Sequence, residues 1–307
     1  MSQSFLQLNT IFISIVIEAI PFVVLGVFIS AIIQIFITEE MIAKVIPKNR
    51  FLSVLFGTCV GSLYPACECG IVPITERLVR KKVPLHAAIA FMLTGPIINP
   101  IVIFSTYVAF GNSWKMVFER CGLAIIVSFL VGIIISYLFS DDQLRKFIDN
   151  KLQKRSHHHH HHADHDHEHS HEHNMSFFAK IKDMLNHTLD EFFSVGKFLI
   201  LGAFIAAAMQ TYVKTSTLLN LGNTEVTAII VMIVLAFILS LCSEADAFIA
   251  ASFRGTFGSS ALTAFLVFGA MVDVKNLIMM LSTFKRRFVF TLVGTITLLV
   301  FVGALII

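Results

Sequence analysis

The sequence has 307 residues, of which 56% are hydrophobic and 14% are charged, and its net charge is +3. Soluble domains carry about a quarter charged residues, so this composition excludes an ordinary soluble domain and predicts a chain embedded in a lipid bilayer. The net charge says little, because the charges sit in loops, and no nucleic-acid partner is predicted. The cysteines number five, an odd count, which does not suit the disulfide framework of a secreted domain.

Four stretches are long enough to cross a bilayer, which takes about 20 apolar residues. They cover about residues 8–37, 121–139, 198–213 and 288–307. Basic clusters near residues 44–50 and 77–82 flank a shorter apolar stretch, 51–76, which is too short for two crossings of about 20 residues each. Because basic loops favour the cytoplasm, this stretch is predicted to be a hairpin that enters from the cytoplasm and turns near residues 65–70. Two short complete crossings are the alternative.

The rest of the first half is predicted to cross outward over residues 84–110, with a break at 95–100, and to return over 116–139. A loop, residues 140–186, separates the halves and contains eleven of the thirteen histidines. Such a tract cannot form a core, and its neighbouring basic residues place it in the cytoplasm.

The second half repeats the pattern of the first. We predict a crossing over residues 192–213, a hairpin with its tip at 242–246, a return over 261–284 and a last helix. Three crossings and one hairpin in each half give the halves opposite orientations. The predicted fold is therefore an all-α, multi-pass protein of the cell membrane with two inverted repeats, 1–139 and 187–307, joined by the His-rich linker 140–186.

Two polar interruptions occur at matching places in the halves. An offset of 176 residues maps Gly26 onto Gly202 and Glu68 onto Glu244, and an offset of 174 maps Asn99 onto Asp273. Paired polar breaks in repeated hydrophobic halves are typical of the central site of a transporter.

The first break, 65–70, contains Cys67, Glu68 and Cys69. In an extended tip the two thiols project to one side and suit a soft metal ion, although two small buried cysteines that pack a tight bend are the alternative. In the second half, Ser243, Glu244 and Asp246 occupy the equivalent break.

A carboxylate at bilayer depth costs about 2.5–3.5 kcal/mol on insertion scales, so each one needs a partner or a function. Glu68 and Glu244 are predicted to coordinate a cation or to carry a proton, or else to cap the half-helices beside them. Asp246 is expected to share their site. Arg254 is either its counter-ion or a loop charge.

The second pair of breaks supplies Asn99 and Asp273 as polar ligands along the transport path, with Lys275 as a neutralising charge for Asp273. Glycine and proline there expose backbone groups that a membrane protein tolerates only along a cavity or inside the protein. The alternative is a kink that only shapes the bundle.

The histidine tract suits zinc, copper or nickel, because neutral imidazoles alternate with carboxylates. The predicted ligands are His165, His167, His169, His171 and His173. No obligatory cofactor is predicted, and a bound zinc or other divalent ion is left open. Motifs of zinc proteases, serine hydrolases and nucleotide-binding loops are missing from the sequence, so no enzyme is predicted.

Three motifs resemble the ArsP/YraQ-type family of predicted permeases, and within it the YcgR-type branch. They are Pro-Ala-Cys-Glu-Cys-Gly at 65–70, Thr-Gly-Pro-Ile-Ile-Asn-Pro at 94–100 and Ser-Glu-Ala-Asp at 243–246. The resemblance implies a polytopic permease with Cys67, Glu68 and Cys69 in the transport path. It also implies a small companion membrane protein, and its ArsP members export trivalent organoarsenicals.

Together these features predict a secondary transporter of a soft or borderline metal ion, most of all zinc, bound at the midplane by Cys67, Cys69, Glu68 and Glu244. The expected partners are the bilayer, a metal or metalloid substrate, the companion protein and a second copy of the chain in a homodimer. The alternatives are an exporter of organoarsenicals or another small solute, and a scaffold that transports nothing.

Overall fold

The computed structural model describes residues 3–36, 41, 45–47, 49–64, 68–144, 177–212, 222 and 224–307. This part of the chain is almost entirely helical, and its one strand-like feature is an isolated bridge between Leu144 and Phe284. The predicted all-α fold is confirmed. Cys67 and the five predicted histidine ligands lie outside the described residues.

The helices fall into two series with the same order of long and short members. The first series is α1 (Gln3–Phe36), α2 (Arg50–Leu63), α3 (Glu68–Arg80), α4 (Leu85–Thr94), α5 (Pro100–Ala109) and α6 (Trp114–Leu138). The second series is α7 (Phe177–Tyr212), α8 (Glu225–Leu239), α9 (Ser243–Ser252), α10 (Ser259–Met271), α11 (Val274–Thr283) and α12 (Arg286–Ile306).

The predicted breaks are present as gaps between short helices. In the first half, helix is interrupted between α2 and α3 and again between α4 and α5; in the second, between α8 and α9 and between α10 and α11. Pro100 is the first residue of α5, where its missing N–H is not needed. Each half therefore has two short helices that begin at a break with a buried polar residue, which is Glu68, Asn99, Ser243 or Asp273.

Helix α7 begins at Phe177, inside the predicted linker 140–186. The sequence from there to Phe192 has apolar residues at helical spacing and contains neither Gly nor Pro, so nothing interrupts a helix. The boundary between the linker and the second repeat stays a prediction.

Five segments of the described chain are long and apolar enough to cross a membrane: Gln3–Ser30, Trp114–Leu138, Val195–Tyr212, Ser259–Thr283 and Arg286–Ile306. The predicted crossing over 84–110 is formed by α4 and α5, two shorter apolar helices. The chain is a multi-pass membrane protein, as its composition indicates.

The two halves pack in largely matching ways. Helix α4 packs between α2 and α6, and in the second half α10 packs between α8 and α12. Between the halves, α3 contacts α11 and the equivalent α9 contacts α5. These pairings agree with a repeat, while the opposite orientation of the halves in the membrane stays a prediction.

The repeated glycines Gly26 and Gly202 allow close helix contacts with different neighbours. A Cβ on Gly26 of α1 would lie 2.5 Å from the backbone oxygen of Gly70 in α3. A Cβ on Gly202 of α7 would lie 2.9 Å from the Cα of Lys275 in α11. Helix α1 thus packs against the first turn of α3, and α7 packs against the first turn of α11. Helices α3 and α11 do not occupy equivalent places in the two halves.

We predict that Gly26→Ala lowers the thermal stability of the detergent-solubilised protein by about 1–3 kcal/mol, because the methyl group meets backbone that cannot move independently. Gly196→Ala on α7 is the matched control, since a Cβ there meets nothing within 4 Å. Alanine favours helix over glycine by about 1 kcal/mol, so the control should be neutral or slightly stabilising. Equal melting temperatures for the two variants would contradict the close α1–α3 contact.

Candidate transport site

Every charged side chain that is buried in the described part of the chain belongs to one group between the two halves. Its members are Glu68, Arg120, Asp246, Asp273 and Lys275, each at most 4% exposed. Together with Ser243 and the half-buried Glu244, they form what we call the central cluster. The acids outnumber the bases by four to two, so the cluster has a formal charge of −2 when all of them are ionised.

Three short helices deliver the acids at their first turns. Glu68 is the first residue of α3, Glu244 and Asp246 lie in the first turn of α9, and Asp273 is the N-cap of α11. Helix N-termini carry a partial positive charge, which stabilises a nearby carboxylate. The broken helices therefore create the electrostatic environment in which these acids can be buried.

A hydrogen bond between the halves joins two of the predicted site residues. The hydroxyl of Ser243 donates to Glu68 Oε2 at 3.0 Å, while Glu68 Oε1 is buried without a hydrogen-bond partner among the described residues. The thiol of Cys242 donates to Glu244 Oε2 at 2.8 Å. The structure thus brings Glu68, Ser243, Glu244 and Asp246 to one place, as the repeat predicts.

Arg120 of α6 is the buried cation beside these residues. Its Nη1 donates to Thr106 Oγ1 at 2.7 Å and its Nη2 donates to the backbone oxygen of Ser243 at 3.0 Å. Its strongest electrostatic attraction is to Asp246. Arg120 therefore ties α5 and α6 of the first half to the start of α9 in the second.

Arg254 does not have this role. Its side chain is exposed, and its guanidinium carbon lies 5.5 Å from the centre of the Phe110 ring. The sequence left open whether Arg254 is a counter-ion of Asp246 or a loop charge, and the structure shows it as a loop charge. Sequence reasoning missed Arg120; the available signal was a single arginine inside the helix predicted over residues 116–139.

Asp273 and Asn99 act as equivalent helix caps. Asp273 Oδ1 accepts the backbone N–H of Asn276 at 2.6 Å, and Asn99 Oδ1 accepts that of Val102 at 2.9 Å. Lys275 Nζ lies 3.5 Å from Asp273 Oδ2, so the expected neutralising charge is present. Asn99 and Asp273 therefore both have a structural role as helix caps at the breaks, and their role as ligands stays a prediction.

No group of three or more His, Cys, Asp or Glu side chains within the described ranges is arranged to hold a metal ion. Cys69 is buried on α3 as a free thiol, and Cys242 is a second buried thiol that sequence reasoning did not assign to the site. Because Cys67 and the histidine tract lie outside those ranges, both predicted metal sites remain predictions.

A polar opening of about 200 Å³ lies where the α5–α6 and α9–α10 connections meet. Its lining includes Lys115, Glu119, Arg254 and Ser259. At one side the Thr263 hydroxyl lies 3.4 Å from both Met116 Sδ and Glu119 Oε2. Glu119 directly precedes Arg120, so this opening is next to the central cluster along α6. A larger cavity of about 350 Å³ beside α2 is lined by apolar residues and by none of the cluster.

Comparisons with known proteins agree on one family. Residues 4–307 match the ArsP_1 family, described as a predicted permease. The chain is 60% identical over 305 residues to the UPF0718 protein YcgR of Bacillus subtilis, covering 99% of this chain and 98% of that protein. It is 46% identical over 305 residues to a putative two-component membrane permease complex subunit of Streptococcus mutans, covering 99% and 96%. The UPF0718 protein YraQ of Escherichia coli is 24% identical over 112 residues, or 36% of this chain and 32% of that protein. No solved structure matches the chain.

We predict that Arg120→Met destabilises the protein by about 3–5 kcal/mol, because it leaves buried carboxylates without their cation. Arg254→Met, which removes an exposed arginine, should change stability by less than about 0.5 kcal/mol. The double variant Arg120→Met, Asp246→Asn removes both charges and should recover part of the loss. Thermal unfolding in detergent measures all three, and a double variant less stable than Arg120→Met alone would rule out the pairing with Asp246.

Proposed function

This chain belongs to the ArsP-type family of predicted permeases, and we propose that it is the subunit that moves a soft or borderline divalent metal ion, most of all zinc, through the central cluster. The observation that carries the proposal is the excess of carboxylates at the point where the halves meet. One oxygen each of Glu68 and Asp246 is buried without a hydrogen-bond partner in the described chain.

The charge of the cluster favours a cation over an anion or a neutral solute. Arg120 and Lys275 compensate two of the four carboxylates, and the helix N-termini stabilise the others in part. An anion entering this cluster would meet a formal charge of −2, whereas a divalent cation would neutralise it. A buried carboxylate oxygen without a partner is also a strong ligand for such an ion.

Two thiols favour a soft or borderline ion over calcium or magnesium. The Cys242 thiol donates a hydrogen bond to Glu244, and Cys69 follows Glu68 in α3. Sulfur together with carboxylate oxygen suits zinc, which accepts both, while hard cations take oxygen alone. In this proposal Cys67, next to Glu68 in the sequence, adds a third thiol.

The proposed function also includes an entrance, a role for the histidine tract, an energy source and a companion protein. The polar opening at the α5–α6 and α9–α10 connections is the entrance, and the histidine tract buffers or senses the ion from the cytoplasm. An ion gradient drives transport, and no enzymatic step is involved. Because the relative from Streptococcus mutans is named as one subunit of a two-component permease complex, we propose that this chain also works with a companion membrane protein.

A trivalent organoarsenical is the second candidate substrate, and the buried thiols Cys69 and Cys242 favour it. Trivalent arsenic binds thiolates and does not need the carboxylates. Substrate competition separates the two candidates, since phenylarsenous acid should block zinc flux only if it enters the same site.

We predict that Glu68→Gln and Glu244→Gln each lower zinc flux by about tenfold or more, because each removes a charge that pairs with the ion. The measurement is uptake of radioactive zinc into liposomes that contain the purified protein at matched density. Glu225→Gln is the control, since Glu225 is an exposed carboxylate at the start of α8. Zinc flux equal to wild type in the Glu68→Gln, Glu244→Gln double variant would favour a capping role for these acids. A wild-type flux no higher than that of protein-free liposomes would favour the scaffold alternative.

The entrance is tested by blocking it. In a protein in which Cys59 and Cys121 are replaced by serine and the proposed ligands Cys67, Cys69 and Cys242 are kept, Ser259→Cys should react with a charged, membrane-impermeant thiol reagent. The adduct should fill much of the opening of about 200 Å³. Ser252→Cys, exposed at the end of α9 but not part of the lining, should react without blocking. We expect zinc flux to fall only in the first variant; unchanged flux after complete labelling of Cys at 259 would place the entrance elsewhere.

A further inference from the structure

The first membrane helix has one charged residue in its membrane span, and that residue faces outward. Glu18 lies near the middle of the span Gln3–Ser30 and is the only charged residue there. Its side chain is exposed and makes no hydrogen bond or ion pair with any residue that the structure describes. A charge at the centre of a bilayer costs about 2.5–3.5 kcal/mol on insertion scales, so contact with lipid alone is unfavourable.

A second hydrogen-bond acceptor lies beside this carboxylate. Helix α1 continues through Pro21, which has no N–H to donate to the carbonyl of Ile17, four residues earlier. Pro21 is exposed on the same part of the helix as Glu18. In hydrocarbon an unsatisfied backbone carbonyl is itself unfavourable, so this place on α1 needs donors for two neighbouring acceptors.

The surface around these acceptors has the form of a helix-packing face. Two adjacent stripes of exposed residues run along α1 at helical spacing. One consists of Ser14, Glu18, Pro21 and Leu25, and the other of Ile13, Ile17, Ile20 and Val24. Helices α3 and α7 cover the other sides of α1. The small residue Ser14, one turn before Glu18, leaves space for a neighbouring helix to approach.

We propose that this face of α1 binds a transmembrane helix of the companion subunit, and that this helix carries a lysine or arginine that pairs with Glu18 at mid-depth. A cationic side chain supplies several donors, enough for the Glu18 carboxylate and the Ile17 carbonyl together. The inference rests on the proposed function only in that a companion subunit exists.

A second copy of this chain does not fit the same face. In a symmetric dimer across α1 the two Glu18 side chains would approach each other, and like charges in a low-dielectric medium repel strongly. The partner helix must bring positive charge, so it belongs to a different chain.

The proposed interface borders the central cluster. Helix α1, which carries Glu18, packs against α3, whose first residue is Glu68, and Gly26 of α1 lies against the backbone of Gly70. A cation bound to Glu18 would therefore lie at the edge of the transport site, where a companion subunit can influence it.

Photo-crosslinking in membranes of the organism that encodes the chain tests the interface. Benzoylphenylalanine is placed at Ile17 or at Ile13, with Leu298 on α12 as the control, because Leu298 is 62% exposed on another helix. We expect Ile17 and Ile13 to crosslink to a transmembrane segment of one other protein, with a lysine or arginine near the crosslinked residue by mass spectrometry. Leu298 should not crosslink to that segment.

Charge reversal then tests the pairing itself. Glu18→Lys should reduce the crosslink by about tenfold or more, and replacing the partner's basic residue by glutamate should restore it. Crosslinks to a second copy of this chain, or none to protein, would overturn the proposal. So would a crosslink that Glu18→Lys leaves unchanged. The crosslink does not depend on the substrate, so absence of zinc flux would refute the proposed function without affecting this result.

Discussion

Charge buried inside a protein that is surrounded by lipid must be balanced locally, since hydrocarbon cannot solvate it. In this chain the balance depends on the contacts around Ser243, whose hydroxyl binds Glu68 and whose backbone oxygen binds Arg120. Removing either contact would leave a buried charge with fewer donors or acceptors. The position of α9 against the first half, and hence the shape of the centre of the molecule, follows from this requirement.

The broken helices are the second part of the same balance. A continuous membrane helix has its termini at the bilayer surfaces, where water satisfies them, whereas here α3, α9 and α11 begin inside the protein. Their N-termini need acceptors, and Glu68, Asp246 and Asp273 need positive surroundings. The helix N-termini and the carboxylates therefore satisfy each other's requirements. The same acid can cap a helix and bind an ion. A carboxylate that stabilises a helix end still has a second oxygen that can bind a ligand.

Sequence reasoning found the parts of the site that occur twice. The offset of 176 residues between Glu68 and Glu244 identified both carboxylates, and the offset of 174 identified Asn99 and Asp273 as a pair. The pair was predicted as polar ligands, and the structure shows both side chains capping helices. Arg120 was missed because it has no counterpart in the second half and lies close to Lys115 and Glu119 at the start of α6. The different packing of Gly26 and Gly202 was also inaccessible, because equal sequence motifs do not determine which neighbouring helix each one meets. The predicted crossing over 192–213 agrees with the span Val195–Tyr212, while α7 itself begins earlier, at Phe177.

The location of Arg120 also bears on why the two halves are parts of one polypeptide. Helix α12 has no charged residue after Arg287, so the second half has no arginine at a comparable depth. An assembly of two identical first halves would carry Glu68 and Arg120 twice each, which is two acids against two bases, so the excess of acids would be lost. When two repeats are fused into one chain, their sequences can diverge independently. A covalently joined pair can keep the fold of both copies while only one of them acquires a charge.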